Sequence, residues 1–184
     1  MRTDLSKSLY RSHINPSELS IFQRILLTTD GTVTDMLEAY FSEPIQLIKL
    51  SEKQALTDSK IIQMDVETGT EIVARKILLQ GKISRKNYLY AESLLVLARL
   101  DEKFRQELLE TKTPIGKIWL AQKVETFKEI IDTGKELAND LSQYFQIEST
   151  ENLLFRTYLV KSRQKSTIMI TEKFPESYFK KDLS

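Results

Sequence analysis

The sequence has no cysteine and a single histidine, His13, among 184 residues. The first absence removes disulfides, thiolate metal ligands and a thiol nucleophile. The second leaves little from which a Ser-His triad or a multi-histidine zinc site is assembled. Glycine and proline are also scarce, five and four in number, so each one marks a break in the chain. No stretch approaches the roughly 20 apolar residues of a membrane-spanning helix. The N-terminal MRTDLSKSLYRSHINP lacks the apolar core of a secretory signal, which makes the cytoplasm the expected location. Net charge is nearly absent too. With 27 Lys and Arg against 26 Asp and Glu, the balance of +1 gives no overall field for nucleic acid or an anionic membrane, so neither is an expected partner. An anion bound by such a chain is held by a few placed cations.

What is present is an ordinary globular composition, 41% hydrophobic and 29% charged, sufficient for one sizeable core and a single domain over residues 1–184. No internal repeat or low-complexity tract occurs. After Asn15-Pro16, SELSIFQRILLT places Leu19, Phe22, Ile25 and Leu26 on one helical stripe. Asp30-Gly31-Thr32 ends it, Thr34 is a cap for a second helix DMLEAYF, and PIQLIKL reads as a strand. The polar SEKQALTDSK leads to GTEIVARKILLQ and NYLYAESLLVLARL, two strands joined by GKISRK as a long antiparallel hairpin. DEKFRQELLE and TPIGKIWLAQ read as helices, the second with Thr113 as cap and Pro114 in its first turn. Within KVETFKEIIDTGKELANDLSQYF, Val124, Phe127, Ile130 and Ile131 fit a helix, while Thr126-Phe127 and Ile130-Ile131 equally fit a strand ending near Gly134. NLLFRTYLVKS and TIMITEKF, separated by SRQKS, are the last two strands. Hairpins interrupted by helices predict an α+β class, one antiparallel sheet with helices packed on it.

Several charges interrupt apolar rows. Strand side chains alternate between two faces, so Val73, Arg75, Ile77 and Leu79 lie together, as do Leu154, Arg156, Tyr158 and Val160. Tyr90, Glu92, Leu94 and Val96 form a third such row, and Ile168, Ile170, Glu172 and Phe174 a fourth. An ionised group in such a row is exposed, paired, or part of a site. Two readings follow: a set of buried or rim ion pairs, or a closed pocket in which arginines hold carboxylates and an acid faces a hydroxyl or a proton.

At these residues the sequence resembles the chorismate pyruvate-lyase (4-hydroxybenzoate synthase) family, in its branch outside the enterobacterial enzymes. The likeness runs from about Leu19 to Phe179 and includes RILLTTDGTVTDMLEAY, ARKILLQGK, YLYAESLLVL, TPIGKIW, FRTYLV and ITEKFP, in that order. It implies an antiparallel sheet carrying the site, with helical flaps around DGTVTDML and TPIGKIW over a buried ligand. It also implies that Arg75 pairs with the ring carboxylate and that Glu172 lies near the ring hydroxyl. Ile115 matches a backbone-contacting aliphatic at the flap, and Val33 an apolar flap residue. Where the enterobacterial pattern has an arginine, this chain has Glu92 in YAES, and Arg156 is the substitute for the second substrate carboxylate. The Gly-rich turn before the last strand is replaced by SRQKS.

The resemblance implies elimination of pyruvate from chorismate to give 4-hydroxybenzoate, a precursor of quinones among other products, with no metal or redox cofactor because aromatisation drives the reaction. Arg75 and Glu172 are the expected catalytic residues, and Arg156, Ile115, Val33 and Glu92 the further substrate contacts. The expected assembly is a monomer or homodimer. Two rival readings remain open: an effector-binding module of the same fold, for which the residues before Leu19 are few to form a DNA-reading domain, and a stand-alone binding protein without catalysis.

Overall fold

The computed structural model describes residues 14–111, 113, 115–123, 126–162 and 164–180. His13, Pro114, Val124 and Arg163, which enter the expectations above, lie outside the described residues.

Two capping residues divide the segment expected to be one helix. Asn15 accepts a hydrogen bond from the amide of Ser17 and starts a single 3-10 turn, Pro16–Glu18, after which Leu19 is extended. Ser20 then forms a reciprocal capping box with Gln23 and opens α1, Ile21–Thr28. The face that α1 buries also differs from the expected stripe, for Gln23, Leu26 and Leu27 turn inward while Ile25 is 43% exposed. Gln23 Nε2 donates to the carbonyl of Glu176 (2.8 Å) and Ser20 Oγ to that of Phe179, and these two bonds fix the rotation of the helix against the end of the chain. Helix α2, Val33–Phe41, has Thr32 at its N-cap position without a side-chain capping bond. Thr34, the expected cap, is instead buried in its first turn. Ser42 adopts the left-handed conformation (φ 54°) that ends α2 ahead of Pro44.

Strand β1, Ile45–Leu56, continues past the expected PIQLIKL through the polar SEKQAL, with a register shift between Lys49 and Ser51. Strands β2, Glu71–Gly81, and β3, Asn87–Val96, form the long hairpin. β3 stops at Val96 rather than Leu100 because Leu97–Arg99 turns as a 3-10 helix. Helix α3, Glu102–Glu110, is capped by Asp101, and α4, Ile115–Gln122, follows it. The ambiguous segment is a strand, β4, Phe127–Leu137, followed by the one-turn helix α5, Ser142–Phe145. β5, Asn152–Ser162, and β6, Lys165–Pro175, pair as a hairpin before a final 3-10 turn, Glu176–Phe179.

The strands form one antiparallel sheet in the order β1-β2-β3-β6-β5-β4. The main core lies between one face of this sheet and the helices, with Leu26, Leu37, Phe104 and Ile118 packed with Leu89, Leu95, Ile168 and Phe174. On the opposite face, Phe145 from α5 joins Leu78, Tyr90 and Leu153 in a smaller cluster. The fold is therefore α+β, as the patterning predicts.

Residues directly opposite one another in paired strands project from the same face. The register aligns Arg75, Ser93, Ile170, Tyr158 and Ile130 across β2, β3, β6, β5 and β4. The neighbouring line reads Ile77, Ala91, Glu172, Arg156 and Thr133. Both lines face the helices, which brings Arg75, Arg156 and Glu172 to one side of one sheet.

Candidate functional site

A cavity opens between this sheet face and the N-terminal ends of α2 and α4, with about 590 Å³ of space when the open solvent at its mouth is included. Leu47, Ile77, Leu79, Leu89, Ala91 and Ile170 make its floor apolar, and Arg75 and Glu172 line it among them. Strand spacings of about 4.8 Å and rises of about 3.4 Å per residue place the two Cα atoms roughly 12 Å apart, two strands across and two residues along. Both side chains line the same cavity.

Arg75 is held in an unusual state. Its side chain is 1% exposed, and its closest ion-pair partner, Glu52 Oε2, stands 3.6 Å from Nε. Among the described residues none of the three guanidinium nitrogens makes a hydrogen bond, and Glu52 Oε2 likewise has no hydrogen-bond partner. Glu52 Oε1 meanwhile accepts from Lys49 at 2.9 Å. Burial pulls the affinity of Arg75 for its proton down, and the Glu52 carboxylate opposes that pull. A buried cation whose donors are unmet is costly unless an anion arrives, and the planar fork of a guanidinium matches a carboxylate. The geometry thus suits an anionic group of a ligand.

Glu172 is the converse case, buried but well met. Its Oε2 accepts from Arg156 Nε at 2.7 Å and its Oε1 from the Tyr158 hydroxyl at 2.9 Å. Burial and the charge of Glu172 raise the Tyr158 hydroxyl well above its usual range, so it remains a donor toward the carboxylate. A carboxylate has about four acceptor positions, and these two bonds leave capacity for a ligand hydroxyl.

Arg156 stands behind Glu172 and does not line the cavity. Besides its bond to Glu172 it donates from Nη1 to the carbonyl of Thr29 (2.7 Å), in the link between α1 and α2, while its Nη2 has no hydrogen-bond partner. The structure thus places Arg156 as a brace between Glu172 and the root of a flap. Glu92 lies apart from all of these. The expectation of an inward Glu92 is corrected by the register, which sets it opposite Lys76 and Thr171 on the other sheet face. There its side chain is 47% exposed, 3.4 Å from Lys76 Nζ, and accepts a hydrogen bond from the Tyr90 hydroxyl (2.5 Å).

Val33 and Ile115, the first residues of α2 and α4, both line the cavity from above. The two helix starts meet there: a side chain on Gly116 would bring its Cβ within 2.8 Å of Thr32 Cγ2. Lys117 of α4 and Glu38 of α2 form an ion pair at 3.1 Å that ties the two helices together. The backbone amide of Ile45, followed by Lys117, keeps the Glu38 carboxyl below its ordinary range against the opposing effect of burial.

Ser93, Trp119, Thr32 and Lys128 are among the lining residues that patterning did not single out. Lys128 rises from β4, donates from Nζ to the carbonyl of Gly31 (3.1 Å) and lies 5.8 Å and 5.6 Å from the ring centres of Trp119 and Tyr158. Burial lowers its proton affinity, partly offset by the charge of Glu172. The sequence signal that finds it is the strand alternation that pairs Lys128 with Ile130 on one face, available only once the segment is known to be a strand. Among the described residues no cluster of three or more His, Cys, Asp or Glu is placed to hold a metal ion.

A family model described as "Chorismate pyruvate-lyase Rv2949c-like" matches residues 27–181 of the chain. The chain is 29% identical over 175 residues to the chorismate pyruvate-lyase of Mycobacterium leprae (strain TN), across 95% of this chain and 82% of that protein. It is 28% identical over 166 residues to the chorismate pyruvate-lyase of Mycobacterium tuberculosis (strain CDC 1551 / Oshkosh), across 85% and 81%. Among solved structures, the effector domain of PhnF from Mycobacterium smegmatis matches with a TM-score of 0.62 at 10% identity, over 81% of this chain and 91% of that one. The C-terminal domain of the histidine utilization repressor from Pseudomonas syringae pv. tomato str. DC3000 matches with a TM-score of 0.55 at 14% identity, over 76% and 96%. At such identities these two likenesses are of fold alone.

Proposed function

Because the chain belongs to the Rv2949c-like chorismate pyruvate-lyase family, we propose that it splits chorismate into 4-hydroxybenzoate and pyruvate in the cavity between Arg75 and Glu172. The observation that carries this reading is the buried guanidinium of Arg75 with no hydrogen-bond partner, facing across an apolar floor a carboxylate with acceptor capacity to spare. A planar ring with a carboxylate at one end and a hydroxyl at the other satisfies both.

In this reading the Arg75 fork holds the ring carboxylate, the aliphatic floor from β1, β2, β3 and β6 holds the ring, and Glu172 accepts the hydrogen bond of the ring hydroxyl. The ether bond between the ring and the enolpyruvyl oxygen breaks, the ring carbon bearing the hydroxyl loses its hydrogen as a proton, and the departing enolpyruvate takes up a proton to become pyruvate. All atoms of the substrate appear in the two products. Aromatisation supplies the driving force, so the protein's work is positioning and stabilisation of the charge on the leaving oxygen. With both carboxylate oxygens already engaged by Arg156 and Tyr158, Glu172 serves in this reading to orient the hydroxyl. Val33 and Ile115 close over the ring and exclude water.

The test is incubation of the purified protein with chorismate, with pyruvate release followed through lactate dehydrogenase and NADH. Release at rates abolished by Arg75→Ala supports the reading. The likeness of the fold to regulator effector domains favours a second one, ligand binding without turnover. Tight binding of 4-hydroxybenzoate with no pyruvate from chorismate would select it.

A further inference from the structure

The substrate proposed above carries two carboxylates, and Arg75 accounts for one. Resting on that reading, we propose that Lys128 is the cation that receives the second, the carboxylate of the enolpyruvyl group. Two cationic side chains line the cavity among the described residues, Arg75 and Lys128. The charge of Arg156, expected from the sequence to serve this end, is directed to Glu172 and to the carbonyl of Thr29. Lys128 is committed to no carboxylate within ion-pair distance among the described residues.

The position of Lys128 suits the task. It lies on the sheet edge opposite Arg75, since β4 and β2 are separated by β5, β6 and β3. One of its three ammonium hydrogens goes to the carbonyl of Gly31, directly ahead of Thr32 and Val33, where α2 begins. Its amine sits between the faces of Trp119 and Tyr158, both lining residues, which confine it to the cavity side. A carboxylate arriving there meets a cation already stripped of much of its water, where a charge-assisted hydrogen bond is strongest. The same ammonium then stands next to the oxygen that gains charge as the ether bond breaks. Because it is bonded to Gly31, the cation also ties substrate binding to the root of the α2 flap.

This assignment separates substrate from product. Chorismate has the second carboxylate, and 4-hydroxybenzoate does not. Lys128→Met removes the charge while keeping the length of the side chain. Losing a hydrogen bond to a charged group predicts a fall of about 10- to 150-fold in kcat/KM for chorismate, with the inhibition constant of 4-hydroxybenzoate within about twofold of wild type. Lys128→Arg restores a cation and recovers part of the loss. Trp119 is the only tryptophan in the chain, so quenching of its fluorescence reads ligand affinity independently of turnover.

Three outcomes overturn the proposal: an unchanged kcat/KM in Lys128→Met, an equal loss of affinity for 4-hydroxybenzoate, or no recovery in Lys128→Arg when both variants melt as the wild type does. If the wild-type protein binds chorismate without releasing pyruvate, the fluorescence titration still decides the role of Lys128 while the catalytic reading fails. If wild type turns over chorismate and Lys128→Met does so equally well, the catalytic reading stands and the role of Lys128 fails.

Discussion

Replacing Arg75 by methionine together with Glu52 by glutamine should make the free protein more stable and greatly weaken its binding of ligand. The guanidinium is buried, its nitrogens lack hydrogen bonds among the described residues, and its counter-charge, Glu52, is 3.6 Å away. Replacing buried ion pairs by apolar side chains of similar volume is often stabilising by about 1–4 kcal/mol. Glu52 Oε2 is itself buried without a hydrogen-bond partner among the described residues, so Glu52 is neutralised together with Arg75 to leave no unpaired charge, and the low end, roughly 1–2 kcal/mol, applies. For a chain of this size each kcal/mol moves Tm by about 2–4 °C. Arg75→Met/Glu52→Gln should therefore melt several degrees above wild type when no ligand is present. Adding 4-hydroxybenzoate at about a hundred times its Kd should stabilise wild type by roughly 2.7 kcal/mol and leave the variant unmoved, reversing the order of the two melting curves. Turnover of chorismate should fall by the roughly 2–5 kcal/mol that truncating one partner of a desolvated charge pair costs, a factor of about 30 to several thousand. Thermal melting with and without ligand, beside the pyruvate assay, checks all of this. A variant that melts below wild type and still responds to 4-hydroxybenzoate would refute the reasoning and make Arg75 a structural partner of Glu52.

Glu172→Gln should lower kcat less than tenfold and reduce the preference for 4-hydroxybenzoate over benzoate in inhibition assays; a fall of roughly 10²–10⁴ would identify a general base instead. Gly116→Ala places a methyl group 2.8 Å from Thr32 Cγ2 and should part the two flaps, so that 4-hydroxybenzoate inhibits less and its dissociation, measured by stopped-flow fluorescence of Trp119, speeds up more than kcat changes. Acid stability should depend on Glu43, whose carboxyl is held at about 2 by hydrogen bonds from the Tyr88 hydroxyl and from Ser84 and Ile83. Its folded pKa lies below its unfolded value, so the unfolded chain binds more protons between the two and stability falls as pH drops from about 4.5 toward 2. Glu43→Gln should flatten the dependence of Tm on pH across that window, and an unchanged slope would remove Glu43 from the account.

Which parts of this molecule patterning reaches depends on where they sit in the sheet. The inner strands β2, β3, β5 and β6 are largely buried, so they read as apolar runs, and NLLFRTYLVKS coincides with β5 at both ends. The edges are different. A natural edge strand carries charges that discourage pairing with other chains, and SEKQAL, the outer part of β1, therefore reads as a linker. In β4 a register shift between Ile130 and Asp132 sets an extra residue, Ile131, beside Ile130. Together with Phe127 the two isoleucines then imitate the spacing of a helix, although Phe127 is 59% exposed. Because the segment could be read either way, Lys128 had no assignable face and escaped notice.

Charges in apolar rows were a better guide, but only to half of the answer. Alternation says which residues share a face; strand pairing decides which face meets the helices. Arg75, Arg156 and Glu172 each break an apolar row and each project to the helical side, where Arg75 and Glu172 reach the cavity and Arg156 braces the latter. Glu92 breaks an equally apolar row, Tyr90, Leu94 and Val96, and projects to the other side, because the hairpin sets Arg75 opposite Ser93 and thereby Lys76 opposite Glu92. One residue of register separates the two outcomes, since a slip by one inverts every side chain of a strand. A half-exposed pair such as Lys76 and Glu92 contributes little, about 0–1 kcal/mol, and its cost of burial is small for the same reason. Arg75 is at the opposite limit: its side chain is buried, with Glu52 at 3.6 Å and no hydrogen-bond partner among the described residues, at a place where a hydrophobic residue would pack at less expense. An arrangement that opposes stability at one point in an otherwise consistent core is what the proposed binding of an anionic ligand at Arg75 would account for.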